Sequence, residues 1–210
     1  MKNLDHELGK FDDFSQKGKL KINEICRKAA QVFSAKGYTT ATLADVSRAV
    51  GISKGGIYHY FSTKEELLFV ILCRYMDYTL HELTAKLEST PKPHDKIRTF
   101  IEHHICHYRD NLDESRLILH EAQNLPPPYW EIIKNKQKQY LGILRSAIEN
   151  LIEGYEKDKQ KTNVIAYSLI GMCNWPYTWF DPRGKVTPEE LAGEIYKIFF
   201  GDLPIRKVQY

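Results

Sequence analysis

The chain has little that would support secretion, redox chemistry or catalysis. Four cysteines occur in 210 residues, Cys26, Cys73, Cys106 and Cys173, and no two form a C-x-x-C pair. That spacing suggests neither a structural zinc nor a redox motif. Each cysteine has apolar neighbours and reads as a small buried thiol, in keeping with a reducing compartment. The N-terminus carries no apolar stretch of the signal-peptide kind, so a cytoplasmic location is expected. There is no Ser/His/Asp ordering, no P-loop and no Rossmann glycine pattern, so no enzyme and no cofactor are expected. No alternating strand pattern, internal repeat or low-complexity tract is visible. Residues 162–180 lack any formal charge, but they include Asn163, Ser168, Asn174, Pro176 and Thr178. A lipid-facing span rarely combines those residues. A soluble helix buried on most sides, such as a subunit interface, is the expected form.

What the chain does have is enough apolar content, 42%, for a sizeable core in one large domain or two small ones. Its charge is unevenly spread. Residues 16–64 contain nine Lys/Arg (Lys17, Lys19, Lys21, Arg27, Lys28, Lys36, Arg48, Lys54 and Lys64) against only Glu24 and Asp45, a local charge of +7 within a chain of +3. A concentrated basic unit is what contact with nucleic acid requires, and a solvated face is the bland alternative.

The periodicity predicts an all-α fold of about nine helices. A polar arm covers 1–16. Helix one spans about 19–35, with Ile22, Ile25, Cys26, Ala29 and Phe33 on one face and Gly37 at its end. Thr42 caps a second helix over 43–50 and Ser53 a third over 54–60, with Gly51 between them. Ser62 and Thr63, each followed by Glu three residues on, open a fourth helix to about 88. Its inward residues are Leu67, Leu68, Ile71, Leu72 and Tyr75, and 90–93 (Thr-Pro-Lys-Pro) breaks it. Later helices are expected over about 94–110, 114–124, 129–155 and 161–180. A ninth opens at Thr187-Pro188-Glu189-Glu190, turns Leu191, Ile195, Ile198 and Phe199 to one side and ends at Gly201. The expected domains are the 1–16 arm, a 17–64 head and a 65–210 body.

Two short helices joined by Gly51-Ile52 form a helix-turn-helix pattern. Thr42 and Ser53 leave N–H groups at helix starts where phosphate oxygens can bind. Lys54 and Lys64 add charge, Tyr58 and Tyr60 can bond phosphate or pack on sugar, and His59 can reach a base edge. Gly55 and Gly56 permit close approach of another surface. Ile52, Ile57 and Phe61 are spaced to pack the third helix onto the first two. A structural αα corner with a basic rim is the alternative.

The run from Thr42 through Ile52-Ser53-Lys54-Gly55-Gly56-Ile57-Tyr58-His59-Tyr60-Phe61 to Glu66-Leu67 resembles the signature of the tetracycline-repressor (TetR) family. Ala29, Phe33 and Gly37-Tyr38 match the preceding helix. The resemblance spans about 19–70. It implies an all-helical homodimer with a DNA-binding head, a ligand-binding body, and release from operator DNA when an effector binds. It places the third helix in the major groove, with Ser53, Lys54, Gly55, Gly56, Tyr58, His59 and Tyr60 at the DNA and Thr42 and Lys64 on its backbone. Gly56 stands where Thr, Ser or Ala is commoner.

Residues 171–200 are similar to a segment of the TetR branch whose repressors respond to acyl-CoA thioesters and control fatty-acid, steroid or aromatic-acid breakdown. Trp175, Tyr177, Trp179 and Phe180 would then line an acyl tunnel or stack on an adenine. Dimer-interface packing is the alternative, since helices eight and nine usually form the interface in this family. Tyr108, Tyr129 and Trp130 are further pocket candidates, and Pro176 is expected to kink the eighth helix. His103 and His107, four apart, could share a metal. No third ligand is fixed by spacing, and His104 lies on another face with Ile97, Ile101 and Tyr108, so no metal is expected. The partners implied are operator DNA, a small effector and a second copy of the chain, without a membrane. A DNA-binding architectural protein without an effector, or an efflux regulator responding to lipophilic drugs, are the alternatives.

Overall fold

The computed structural model describes residues 14–152 and 158–201. Among them are nine α-helices, two 3₁₀ turns and no strand. The helices are α1 (Gln16–Lys36), α2 (Leu43–Val50), α3 (Lys54–Tyr60), α4 (Lys64–Glu88), α5 (Pro93–Asp110), α6 (Leu112–His120), α7 (Pro127–Glu149), α8 (Lys159–Asn174) and α9 (Pro188–Phe200). The 3₁₀ turns are Ala122–Asn124 and Trp175–Thr178. No helix of the described residues is long and apolar enough to cross a membrane.

The contacts divide the chain into two compact units. One holds the described residues up to Thr79 together with Asp113–Lys138; the other holds Leu80–Leu112 and the described residues from Gln139 on. One division between these units falls inside α4, at Thr79/Leu80. Cross-links explain this: the Tyr75 hydroxyl meets Ser115 at 2.9 Å, Phe69 stacks on Tyr129 at 4.3 Å, and Lys136 pairs with Asp77. These tie the first half of α4 to α6 and the start of α7.

In the first unit, α1 packs on α2 and α2 on α3. The face of α1 expected to be inward is buried, Phe33 with 1% of its surface exposed. Helix α1 starts three residues earlier than expected because Ser15 caps it, its Oγ accepting the Gly18 N–H at 3.3 Å. The rest of the expected polar arm lies outside the described residues. Thr63, not Ser62, caps α4: its Oγ1 accepts the Glu66 N–H at 3.0 Å, and Glu66 reaches back to the Ser62 N–H at 2.7 Å.

In the second unit, α5 packs against α9 and, less extensively, α8. The expected capping box of α9 is present: Thr187 Oγ1 accepts the Glu190 N–H at 3.1 Å and the Glu190 carboxylate accepts the Thr187 N–H at 2.8 Å. Two expectations change here. Ile198 is 52% exposed instead of inward, because the buried stripe of α9 runs through Leu191, Ala192, Ile195 and Tyr196. Helix α8 ends at Asn174 and does not continue kinked to 180: Pro176 has no N–H to extend the ladder, and a 3₁₀ turn follows. Among the cysteines, Cys106 is only half-buried, its thiol 3.6 Å from Glu189.

Candidate nucleic-acid interface

The turn between α2 and α3 is built by local bonds. Gly51 takes the left-handed conformation, φ +75°, which a residue with a Cβ rarely adopts. Its N–H bonds Arg48 O at 3.2 Å and the Ile52 N–H bonds Ser47 O at 3.0 Å, closing the C-terminus of α2 in a Schellman arrangement. Ser53 then caps α3, its Oγ accepting the Gly56 N–H at 3.0 Å. The helix has seven residues and cannot stand alone. Ile57, fully buried, is its anchor, and Phe61 just beyond it is fully buried as well.

Everything else on α3 faces outward. Ser53, Lys54, Gly55, Tyr58 and His59 are exposed, with Gly56 and Tyr60 half-buried. A Cβ on Gly55 would meet nothing closer than the Ser53 hydroxyl at 4.0 Å, so packing within the chain does not demand glycine there. Of the nine cations of the basic segment, Lys21 pairs with Glu24 and both Lys36 and Arg48 pair with Asp45. Lys17, Lys19, Arg27, Lys28 and Lys54 make no ion pair among the described residues.

Two expected backbone contacts have other work. The Lys64 ammonium donates to the carbonyls of Tyr38, Thr39 and Ala41 at 2.8, 3.1 and 3.0 Å and sits over the Tyr38 ring. Those bonds use its three protons, so it braces the α1–α2 turn and is not free for a phosphate. At Thr42, the Asp45 carboxylate already holds the anion position, accepting the Thr42 N–H at 3.0 Å while the Asp45 N–H bonds Thr42 Oγ1 at 3.2 Å. The Lys36 ammonium, followed by the Thr42 bonds, holds the Asp45 carboxyl well below the usual carboxylate range. One residue went unread in the sequence: Phe14 stacks on Tyr60 at 5.4 Å and meets the His59 ring edge-on at 5.8 Å. It lines a groove of about 580 Å³ with Lys17, Leu20, Lys21, His59 and Tyr60. Neither period nor a cap singles Phe14 out.

The aromatic residues expected at a ligand are divided between the two units. Tyr129 and Trp130 belong to the first unit; Tyr108 and residues 175–180 belong to the second. Trp175 and Trp179 are 66% and 58% exposed, while Phe180 is buried and Tyr177 half-buried. Tyr108 is buried, and its hydroxyl bonds Cys173 O at 2.8 Å and Asn174 O at 3.1 Å. Its single proton is shared between these two carbonyls at the end of α8, the nearer being Cys173 O. His104 joins the same network, 3.2 Å from the Tyr140 hydroxyl and 3.4 Å from that of Tyr108. His103 and His107 are buried on the other side of α5, ring to ring, with Nε2 atoms 3.2 Å apart. Burial pushes His103 down to about 2, with the charges of His107, Lys86 and His104 acting the same way. Burial also lowers His107, to about 4, outweighing the opposing carboxylate of Glu82. Both rings are therefore neutral near pH 7.

Residues 90–203 match the family described as "Tetracyclin repressor-like, C-terminal domain". Residues 25–71 match "Bacterial regulatory proteins, tetR family". The chain belongs to the TetR family. It is a TetR-type transcriptional regulator, with α2 and α3 as the helix-turn-helix. It is 26% identical over 196 residues to the HTH-type transcriptional repressor KstR2 of Mycobacterium tuberculosis, covering 86% of this chain and 91% of that one. Its fold is similar to that of a TetR-family regulator from Bordetella parapertussis, with a TM-score of 0.83 and 26% identity over 88% of this chain and 98% of the other. It is similar also to AibR, solved in complex with isovaleryl coenzyme A and operator DNA, with a TM-score of 0.75 and 27% identity over 85% and 97% of the two chains.

Proposed function

We propose that this TetR-type regulator is a one-component repressor that binds a near-palindromic operator as a homodimer and is released by an acyl-CoA thioester. The observation that carries the DNA reading is α3: one buried anchor, Ile57, holds a helix whose Ser53, Lys54, Gly55, Tyr58 and His59 are all turned outward. Base edges and phosphates are read by those donor types. Two such helices in a symmetric dimer would enter successive major grooves about 34–36 Å apart.

The dimer reading rests on α8 and α9. Val164 and Tyr167 on α8 are 66% and 57% exposed, and Ile198 on α9 and Trp175 and Trp179 beside α8 are also open. A buried stripe of Thr162, Ala166, Leu169 and Cys173 covers only one side of α8, so the apolar opposite side is suited to a second copy. Light scattering should give twice the 24.5 kDa chain mass, and V164E with Y167E should yield the monomer.

The effector class is supported by the resemblance of residues 171–200 and by the acyl-CoA held by AibR. Differential binding of the thioester to two states would lower operator affinity, and operator would lower thioester affinity by the same factor. The test is fluorescence anisotropy on an operator fragment selected from random duplexes, titrated with short, long and aromatic CoA esters. Release by at least one ester, with a matching rise in melting temperature, is the expected result. Failure of every ester would end the acyl-CoA assignment and leave the DNA reading standing.

A further inference from the structure

We propose that Glu82, His103 and His107 form a binding site for one divalent transition-metal ion of the zinc class. His103 and His107 lie one turn apart on α5 and turn their Nε2 atoms toward each other at 3.2 Å. Glu82, on α4, brings its Oε2 to 3.8 Å from His103 Nε2, and the three donor atoms all lie within 4.8 Å of one another. A zinc ion with bonds of about 2.0–2.1 Å holds tetrahedral ligands roughly 3.3–3.4 Å apart. The two histidine nitrogens are therefore already near that spacing, and Glu82 has to close in from 3.8 Å.

The donor chemistry selects the ion. Two imidazoles and one carboxylate suit zinc and its first-row neighbours, whereas magnesium and calcium ask for oxygen throughout. Glu82 keeps a third of its side chain exposed, at 34%, while the imidazole of His103 is almost wholly enclosed. The site is thus open on its carboxylate side, leaving a fourth position for water or another donor. Asn111, with its amide 3.4 Å from His107 Nδ1, can turn its oxygen to accept the proton that Nδ1 carries when Nε2 is ligated. Lys86 opposes positive charge here, and Glu82 offsets it.

A packing role accounts less well for the same atoms. Two neutral imidazoles facing nitrogen to nitrogen can share one proton, but a cation engages both lone pairs.

The proposal is independent of the acyl-CoA reading, and its readout is metal binding itself. Full-length protein stripped with chelator is titrated with Zn²⁺ against a chromophoric chelator, and with Co²⁺ while the visible spectrum is recorded. One ion per chain and Co²⁺ bands of a four-coordinate N/O site are expected. Glu82→Gln and His107→Gln should each weaken binding at least about tenfold, the low end of what even outer-shell changes cost. Glu82→Gln changes a partly exposed side chain, so its folded state, checked by circular dichroism, keeps the test intact if His107→Gln unfolds. Absence of stoichiometric binding, or binding equal to wild type in folded Glu82→Gln, overturns the proposal.

Discussion

The helix-turn-helix segment and the second unit satisfy their polar groups in different ways. In α2 and α3 most side-chain bonds span three residues: Thr42 with Asp45, Ser53 with Gly56. In the second unit they join helices distant in sequence. Tyr108 meets Cys173 65 positions away, His104 meets Tyr140 36 away, and Arg109 pairs with Glu189 80 away at 2.7 Å. Short-range bonds hold α3 and leave Lys54 and Tyr58 uncommitted among the described residues, while the Phe14 ring meets His59 and Tyr60 from just before α1. Long-range bonds commit the second unit's polar groups to holding helices together. The first arrangement suits a surface that meets a partner, the second a body whose helix packing can be biased by what it binds.

Substitutions can break this contrast, and the largest effect is expected at Ile57, the anchor of α3. Ile57→Ala should cost about 2–5 kcal/mol, read by chemical denaturation, and should abolish operator binding by releasing the helix. Lys64 is the exception to local bonding in the segment, reaching back 23 to 26 positions. Lys64→Met should destabilise by roughly 1.5–3 kcal/mol, nearer the low end because the site is partly exposed, while the salt slope of DNA binding by the folded protein stays unchanged. A flatter slope would return Lys64 to the phosphate role.

Tyr108→Phe strips the hydroxyl from the buried Cys173 carbonyl. It should cost about 1–3 kcal/mol in thermal melts without altering the salt dependence of operator binding, and a loss of thioester response alone would recast Tyr108 as a ligand contact. Gly55→Ala should raise stability by about 1 kcal/mol, because the Cβ meets open space, yet weaken operator binding. Equal affinity in the variant would show that DNA does not approach the backbone there. The smallest stability change is expected for Lys54→Ala, whose signature is electrostatic: uniformly weaker binding and a salt slope reduced by about 1.

The legibility of the fold follows the same contrast. The spans of α2 and α3 were readable to the residue because caps and a positive-φ glycine mark their ends within a few positions. The inward face of α1 was readable from its period. Ile198 was misplaced because period gives a stripe but not its edge, and the buried stripe of α9 depends on where α5 lies. The break inside residues 161–180 was half readable: Pro176 marked it, but whether a proline kinks a helix or ends it depends on what donates to the carbonyls there, and the Tyr108 hydroxyl reaches those of Cys173 and Asn174. The bonds of Lys64 were not legible, because a cation beside a basic helix looks the same in sequence whether it faces DNA or three backbone carbonyls.

By itself the sequence determined the helical class, the helix-turn-helix and the residues that α3 turns outward. Each of these depends on interactions between near neighbours, and near neighbours are written side by side. Tertiary structure alone decided that Lys64 braces a turn, that Tyr108 closes the end of α8, and that Glu82 comes to the histidine pair of α5. Such meetings depend on how whole helices pack. No spacing along the chain encodes a carboxylate on α4 arriving beside two imidazoles on α5.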